Sequence, residues 1–224
     1  MVQKSILPNY FSRTRILPLL AFSILFGSDS DPHFQNFDSF INKALKTSKI
    51  TGMGLSIISS DAILFKKAYG YSDIQLKEKF TLSTIMNVAS ISKTTIGVSI
   101  RYLVEKGLIK LDDNVNNFIP FHIENPHSKQ SLITLRNLMS HCSGIIDRQE
   151  IYLSEYYYGK DSPVDLGTFL ENYLSKNGDY YSNKNFIKQE PGRKFLYSNI
   201  GSALAAYIVE IISEKPFNVF TKEI

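Results

Sequence analysis

The sequence predicts an α+β fold, in which one strand hairpin near the N-terminal end is followed by helices and loops. Three observations carry that prediction. GMGLSIISS and AILFKKAYGYSD are β-rich runs separated by Ser60-Asp61, a polar pair that reads as a hairpin turn. After residue 73 every segment reads as helix or loop. A composition of 43% hydrophobic and 21% charged residues over 224 positions gives material for a core and excludes a disordered chain.

The elements follow in order. FQNFDSFINKALKTSK carries apolar residues at 34, 37, 40, 41, 44 and 45, a helical stripe that precedes the hairpin. A loop, LKEKFTLSTIMNV, leads into a helix that opens at NVASISKTTIG, runs through IGVSIRYLVEKG and stops at Gly107. LIKLDDNVNNFIP is polar and punctuated. TLRNLMSHCSG is a short helix broken by Ser143-Gly144. The tyrosine-rich EIYLSEYYYG has two readings, a pocket lining or, more usual at this composition, ordinary packing or surface. Ser162-Pro163 is an N-cap and first-turn pair opening VDLGTFLENYLSK. After a turn at Pro191-Gly192, FLYSNIGSALAAYIVEIISE passes from an extended start into a strongly apolar helix. A lone hairpin is marginal in water and leaves unpaired edges. Its strands therefore call either for helices to pack on or for strands that these 224 residues do not contain.

Charge and cysteine usage narrow the function classes. The net charge is +4, but Lys4, Arg13 and Arg15 lie at the extreme N-terminus; without those three the 25 basic residues fall to 22, against 21 acids. No basic stripe with interleaved aromatics remains, which argues against a nucleic-acid partner. The basic start is followed by ILPLLAFSILFGS and then by acidic, polar DSDPH, the layout of a secretory leader. That apolar run is shorter than the roughly 20 residues a spanning helix needs. Residues 1–32 are expected to be a signal peptide or an N-terminal anchor, which makes the protein exported, periplasmic or envelope-bound; an uncleaved leader would tie it to a membrane. The single cysteine, Cys142, allows no internal disulfide and reads as a small, partly buried residue. His33, His122, His127 and His141 show no metal-ligand spacing, and no cofactor is expected.

Two motifs suggest chemistry. Ser90-Ile91-Ser92-Lys93 has S-x-x-K spacing, and three residues along a helix return to the same face. A serine hydroxyl becomes a useful nucleophile once a base takes its proton and donors stabilise the oxyanion. Lys93, flanked by Ile91 and Ile96, could be desolvated, and burial favours the neutral amine. The alternative is a capping serine beside a surface lysine. About a hundred residues later Tyr197-Ser198-Asn199 stands on a loop before the apolar helix; a phenol can relay a proton and an amide can orient a carbonyl or hold a lysine.

Taken together, these segments resemble the serine β-lactamase-like and penicillin-binding hydrolases, in particular the branch of class C β-lactamases, D-alanyl-D-alanine carboxypeptidases and related esterases. The wider group uses S-x-x-K as its nucleophile motif. GMGLSIISSDAILFKKAYGYSD is similar to the family's opening hairpin. MNVASISKTTIGVSIRYLVEKGLIKLDDNVNNFIP resembles its nucleophile helix, TLRNLMSHCSGI its following motif with Cys142 in place of the usual threonine, and PGRKFLYSNIGSALAAYIVE its tyrosine motif. The resemblance implies a β-lactamase/transpeptidase-like fold over residues 33–224. It implies Ser90 as acyl-accepting nucleophile, Lys93 as its base, Tyr197 as proton relay and Asn199 as the group that holds substrate and lysine. The Ser90 N–H would supply half of the oxyanion hole, and Ser92 a helix turn only. The implied substrates are β-lactams, peptidoglycan D-Ala-D-Ala peptides or esters. The family's third motif, Lys-Thr-Gly or His-x-Gly on a closing strand, is not among the 224 residues. The expectation is a domain incomplete at its C-terminal side, its missing strands lying in a longer protein or a second chain, or else a non-catalytic remnant that keeps the helical half of the site.

Overall fold

The computed structural model describes residues 32–128, 132–157 and 159–224, with side chains from residue 36 onward, so the leader-like segment lies outside the described residues apart from Pro32. It divides into two units, one ending at Met86 and one spanning Asn87–Ile224.

In the first unit, helix α1 (Pro32–Ser48) precedes strands β1 (Gly52–Ile58) and β2 (Ile63–Asp73), which pair antiparallel with Gly54 opposite Ala68 and Ile57 opposite Phe65. The hairpin turns where the sequence placed it: the Ser59 hydroxyl donates to Asp61 at 2.9 Å and accepts the Ala62 N–H at 3.0 Å. Gly70 adopts φ +76°, and a β-carbon there would lie 2.2 Å from the Thr51 carbonyl oxygen, so only glycine lets the strands approach. The loop expected after residue 73 contains a third strand, β3 (Glu78–Lys79), which completes a sheet of order β1-β2-β3. Asp73 accepts the Leu76 N–H at 2.8 Å and Lys77 turns at φ 56°, folding the chain back onto β2. Two paired residues, both charged, leave no alternation for a sequence to show. On α1 the stripe holds at Phe37, Ile41, Ala44 and Leu45, while Phe40 is exposed. Asp38 accepts the Tyr69 hydroxyl at 2.6 Å and pairs with Lys67; burial and that carboxylate push the Tyr69 phenol up.

The second unit is helical. Its long central helix α6 (Asn199–Ser213) is contacted by α2 (Lys93–Glu105), α3 (Leu135–Met139), α5 (Leu166–Leu174) and α7 (Phe217–Glu223), while α4 (Gln149–Tyr152) lies in the tyrosine-rich segment. Ile100, Leu103, Leu138, Leu170, Leu204 and Ile208 are almost wholly buried in one core. Each such aliphatic side chain contributes about 1.5–3 kcal/mol on burial, which holds α6 against its neighbours. Gly107, at φ +71°, ends α2 as read from the sequence.

Two helix boundaries differ from expectation. Helix α5 starts at Leu166, capped by Asp165, whose carboxylate accepts the Thr168 N–H at 2.8 Å. Ser162-Pro163 forms the turn ahead of it, with the Ser162 hydroxyl donating to Glu155 at 2.6 Å. Helix α3 stops at Met139, because His141 turns at φ 54°; Ser143-Gly144 comes later, where Ile145 bridges to Phe186.

Candidate active site

The nucleophile candidate sits on a turn rather than on α2 itself. Residues Ala89–Ser92 form a single 3-10 turn that feeds into α2 at Lys93. Asn87 shapes its entry by accepting the Ala89 N–H on its side-chain oxygen at 2.6 Å, and Ala89 takes φ 47°, a left-handed conformation costly for alanine. With three residues per turn, positions i and i+3 eclipse, so the tighter helix aligns Ser90 with Lys93 more closely than an α-helix would.

At the other side of the site, Ser198 caps α6: its hydroxyl accepts the Gly201 N–H at 2.9 Å. Asn199, expected on a loop, is the first helical residue, and Tyr197 lies just outside. The structure brings all four predicted residues together. Lys93 Nζ donates to Ser90 Oγ at 3.3 Å and to Asn199 Oδ1 at 2.8 Å, and the Tyr197 hydroxyl donates to Ser90 Oγ at 2.9 Å. Ser90 is exposed and Lys93 half-buried. The lysine's neighbour Ile91 is 67% exposed and does not cover it; Ile96 is the buried one. The Lys93 ammonium and then the Ser90 hydroxyl hold the Tyr197 phenol below its ordinary value.

Two residues that the sequence did not assign complete the arrangement. His141 Nδ1 accepts the Ser198 N–H at 3.2 Å, and its ring lies 4.4 Å from the Tyr197 ring. Burial and then the Lys93 charge lower the imidazole, outweighing Asp147. Asp147 accepts the Asn199 N–H and side-chain amide on Oδ2 at 2.7 and 2.8 Å. Its Oδ1 accepts the Ser198 hydroxyl and the Ile200 N–H at 2.8 and 3.1 Å. The half-buried thiol of Cys142, which follows His141, donates to the Ser140 carbonyl at 3.4 Å. The signal that could have found Asp147 is an acid five residues after Cys142 in an otherwise apolar stretch, SGIID.

A cleft of about 660 Å³ opens beside Lys93 and Asn199, with Tyr152, Tyr156 and Phe169 on its walls. Of the two readings of the tyrosine-rich segment, the pocket lining is the one the cleft shows, at Tyr152 and Tyr156. Among the described residues no group of three His, Cys, Asp or Glu side chains is placed to hold a metal, and no helix is long and apolar enough to cross a membrane.

Comparison with known proteins places this geometry. The chain is 25% identical over 191 residues to "Protein flp" of Staphylococcus aureus, covering 83% of this chain and 35% of that protein. It is 27% identical over 163 residues to "Penicillin-binding protein 4*" of Bacillus subtilis, covering 71% of this chain and 32% of that one. It therefore spans about a third of the length of these curated relatives. Among solved structures, the D-amino acid amidase of Ochrobactrum anthropi superposes with a TM-score of 0.63 at 21% identity, over 84% of this chain and 48% of the amidase, which shows the fold. The family model described as "Beta-lactamase" matches residues 37–223, and the chain belongs to the beta-lactamase family.

Proposed function

We propose that this chain carries the nucleophile and base of a serine acyl hydrolase that works through a Ser90 acyl-enzyme on a β-lactam, a D-Ala-D-Ala peptide or an ester. Membership of the family supports a serine-hydrolase type of function. The observation that carries the finer reading is the convergence on one oxygen: Ser90 Oγ lies 3.3 Å from the Lys93 amine and 2.9 Å from the Tyr197 hydroxyl.

In the first step Ser90 Oγ attacks the acyl carbon while its proton passes to Lys93 in the amine form. The Ser90 N–H is the first donor to the oxyanion. When the tetrahedral intermediate collapses, the proton moves through Tyr197 to the leaving amine or alcohol, and the acyl group stays on Ser90. Water then attacks that ester, with the same pair receiving its proton; the Oγ–acyl bond breaks, the proton passes on to Ser90 Oγ, and the acid is freed. Asn199 keeps Lys93 aimed at Ser90 through its 2.8 Å contact. The leader-like residues 1–32 support export, toward a compartment where peptidoglycan peptides are met.

The test is turnover of a chromogenic cephalosporin, a p-nitrophenyl ester and a D-Ala-D-Ala peptide by wild type and Ser90→Ala. Hydrolysis of any one that Ser90→Ala abolishes supports the proposal and names the substrate class. Hydrolysis unchanged in Ser90→Ala, or none by a folded wild type, favours a non-catalytic role for the same site.

A further inference from the structure

We infer that Asp147 is a positioning residue of this site: its carboxylate fixes which end of the Asn199 amide faces Lys93. The inference rests on the reading of Ser90 and Lys93 as nucleophile and base.

A side-chain amide has a donor end and an acceptor end, nearly equal in shape, and only its partners choose between them. With its lone pair kept for the Ser90 proton, Lys93 has only N–H groups to turn toward Asn199 and needs the oxygen. Asp147 as a carboxylate is acceptor-only and needs the nitrogen. With Asn199 Nδ2 bonded to Asp147 Oδ2 at 2.8 Å, Asn199 Oδ1 is left for Lys93 Nζ at 2.8 Å. Donors and acceptors then alternate from Asp147 through Asn199 and Lys93 to Ser90. The two backbone N–H groups that Asp147 also accepts lie in the first turn of α6, whose dipole favours a negative charge there.

Asp147 is itself held on both sides. The Tyr173 hydroxyl donates to the Ile146 carbonyl at 2.8 Å and accepts the Arg148 N–H at 2.8 Å, bracketing the aspartate. The Ile146 N–H bonds to the Asn185 carbonyl at 2.8 Å, and Tyr173 and Asn185 are buried. As caps, Asp147 and Ser198 divide the first turn of α6 between them: the carboxylate takes the Asn199 and Ile200 N–H groups and the Ser198 hydroxyl takes the Gly201 N–H. The contact to the Asn199 side chain is the part that capping does not require.

The experiment measures fluorophosphonate labelling of Ser90 in the 224-residue chain, alongside the side-chain amide resonance of Asn199 in asparagine-labelled protein, assigned by its loss in Asn199→Asp. Asp147→Asn sets an NH2 against either the Asn199 donors or the Ile200 N–H. Labelling is expected to slow by about 10- to 100-fold, the cost of a misplaced catalytic group, and the Asn199 resonance to shift. The double variant Asp147→Asn with Asn199→Asp restores a donor facing an acceptor and an oxygen facing Lys93, and should recover part of the rate. Damage to α6 alone would not be repaired by changing residue 199. Labelling of folded Asp147→Asn at the wild-type rate, or no recovery in the double variant, overturns the inference. If Asp147→Asn does not fold, Tyr173→Phe takes its place, with slower labelling and a shifted resonance expected and an unchanged rate overturning. If wild type itself does not label, the proposed function fails, and the resonance alone decides: unmoved in the variant, it overturns the role of Asp147; moved, it supports it.

Discussion

The two sides of the site are built differently. The nucleophile turn, Ala89–Ser92, buries none of its residues, and Ala89 sits in a left-handed conformation. The segment Tyr197–Ile200 is clamped: Ser198 and Ile200 are nearly inaccessible, and His141 and Asp147 receive its N–H groups. The Tyr197–Ile200 side is preorganised by packing and hydrogen bonds. Ser90 is located chiefly by its contacts with Lys93 and Tyr197. Preorganised polar groups cost no rearrangement at the moment of reaction, so the stabilising effort is spent where charge must be held. The nucleophile, which must form and break a covalent bond, is left accessible.

Substitutions can break this contrast, and the largest effect is expected at Ser90. Ser90→Ala removes the atom on which both partners converge, and acylation should fall by about a thousandfold or more. Lys93→Met, of similar length and without an amine, should slow acylation by about 10²- to 10⁴-fold in stopped-flow labelling. Tyr197→Phe should cost less and act through pH. The phenol is held below its ordinary value of 10.0, so its ionised form is reached at lower pH than in a free tyrosine. A relay must carry its proton, so acylation by wild type should fall along a limb centred below pH 10, and Tyr197→Phe should lose that limb.

Stability should sort the two sides in the same way. Leu204→Ala, in the core beneath the clamped segment, should cost about 2–5 kcal/mol in denaturant unfolding, whereas Ile91→Ala on the exposed turn should stay within about 0.5 kcal/mol. A further effect is alkaline. Burial pushes the Tyr173 phenol up to about 12 from 10.0, so the unfolded chain gives up that proton first. The stability it supports is intact below pH 10 and is lost as pH rises toward 12. Urea midpoints at pH 9 and 11.5 should show that loss, and Tyr173→Phe should reduce it.

The same contrast explains what could be read from the sequence. Ser90, Lys93, Tyr197 and Asn199 lie in short motifs whose spacing is local, and the helices that carry them have strong apolar periods and recognisable ends such as Gly107. The hairpin was legible for the same reason. Asp147 was not, because its role exists only once α6 is docked 52 residues away in sequence. His141 carried a histidine's ordinary ambiguity until its ring met Tyr197. Strand β3 and the true start of α5 turned on single side-chain contacts, Asp73 to Leu76 and Asp165 to Thr168, against which propensity carries little weight. Ile91 stands two residues before Lys93, and side chains at i and i+2 do not share a helix face, so it leaves the lysine uncovered.

The most direct test is intact-mass analysis of the folded 224-residue chain after incubation with a reactive penicillin and with a fluorophosphonate, followed by peptide mapping. A Ser90 that is aligned with Lys93 and Tyr197 predicts a single adduct on the peptide containing Ser90, absent in Ser90→Ala. A folded wild type that takes no adduct, or takes one that persists in Ser90→Ala, would contradict the assignment of Ser90 as nucleophile.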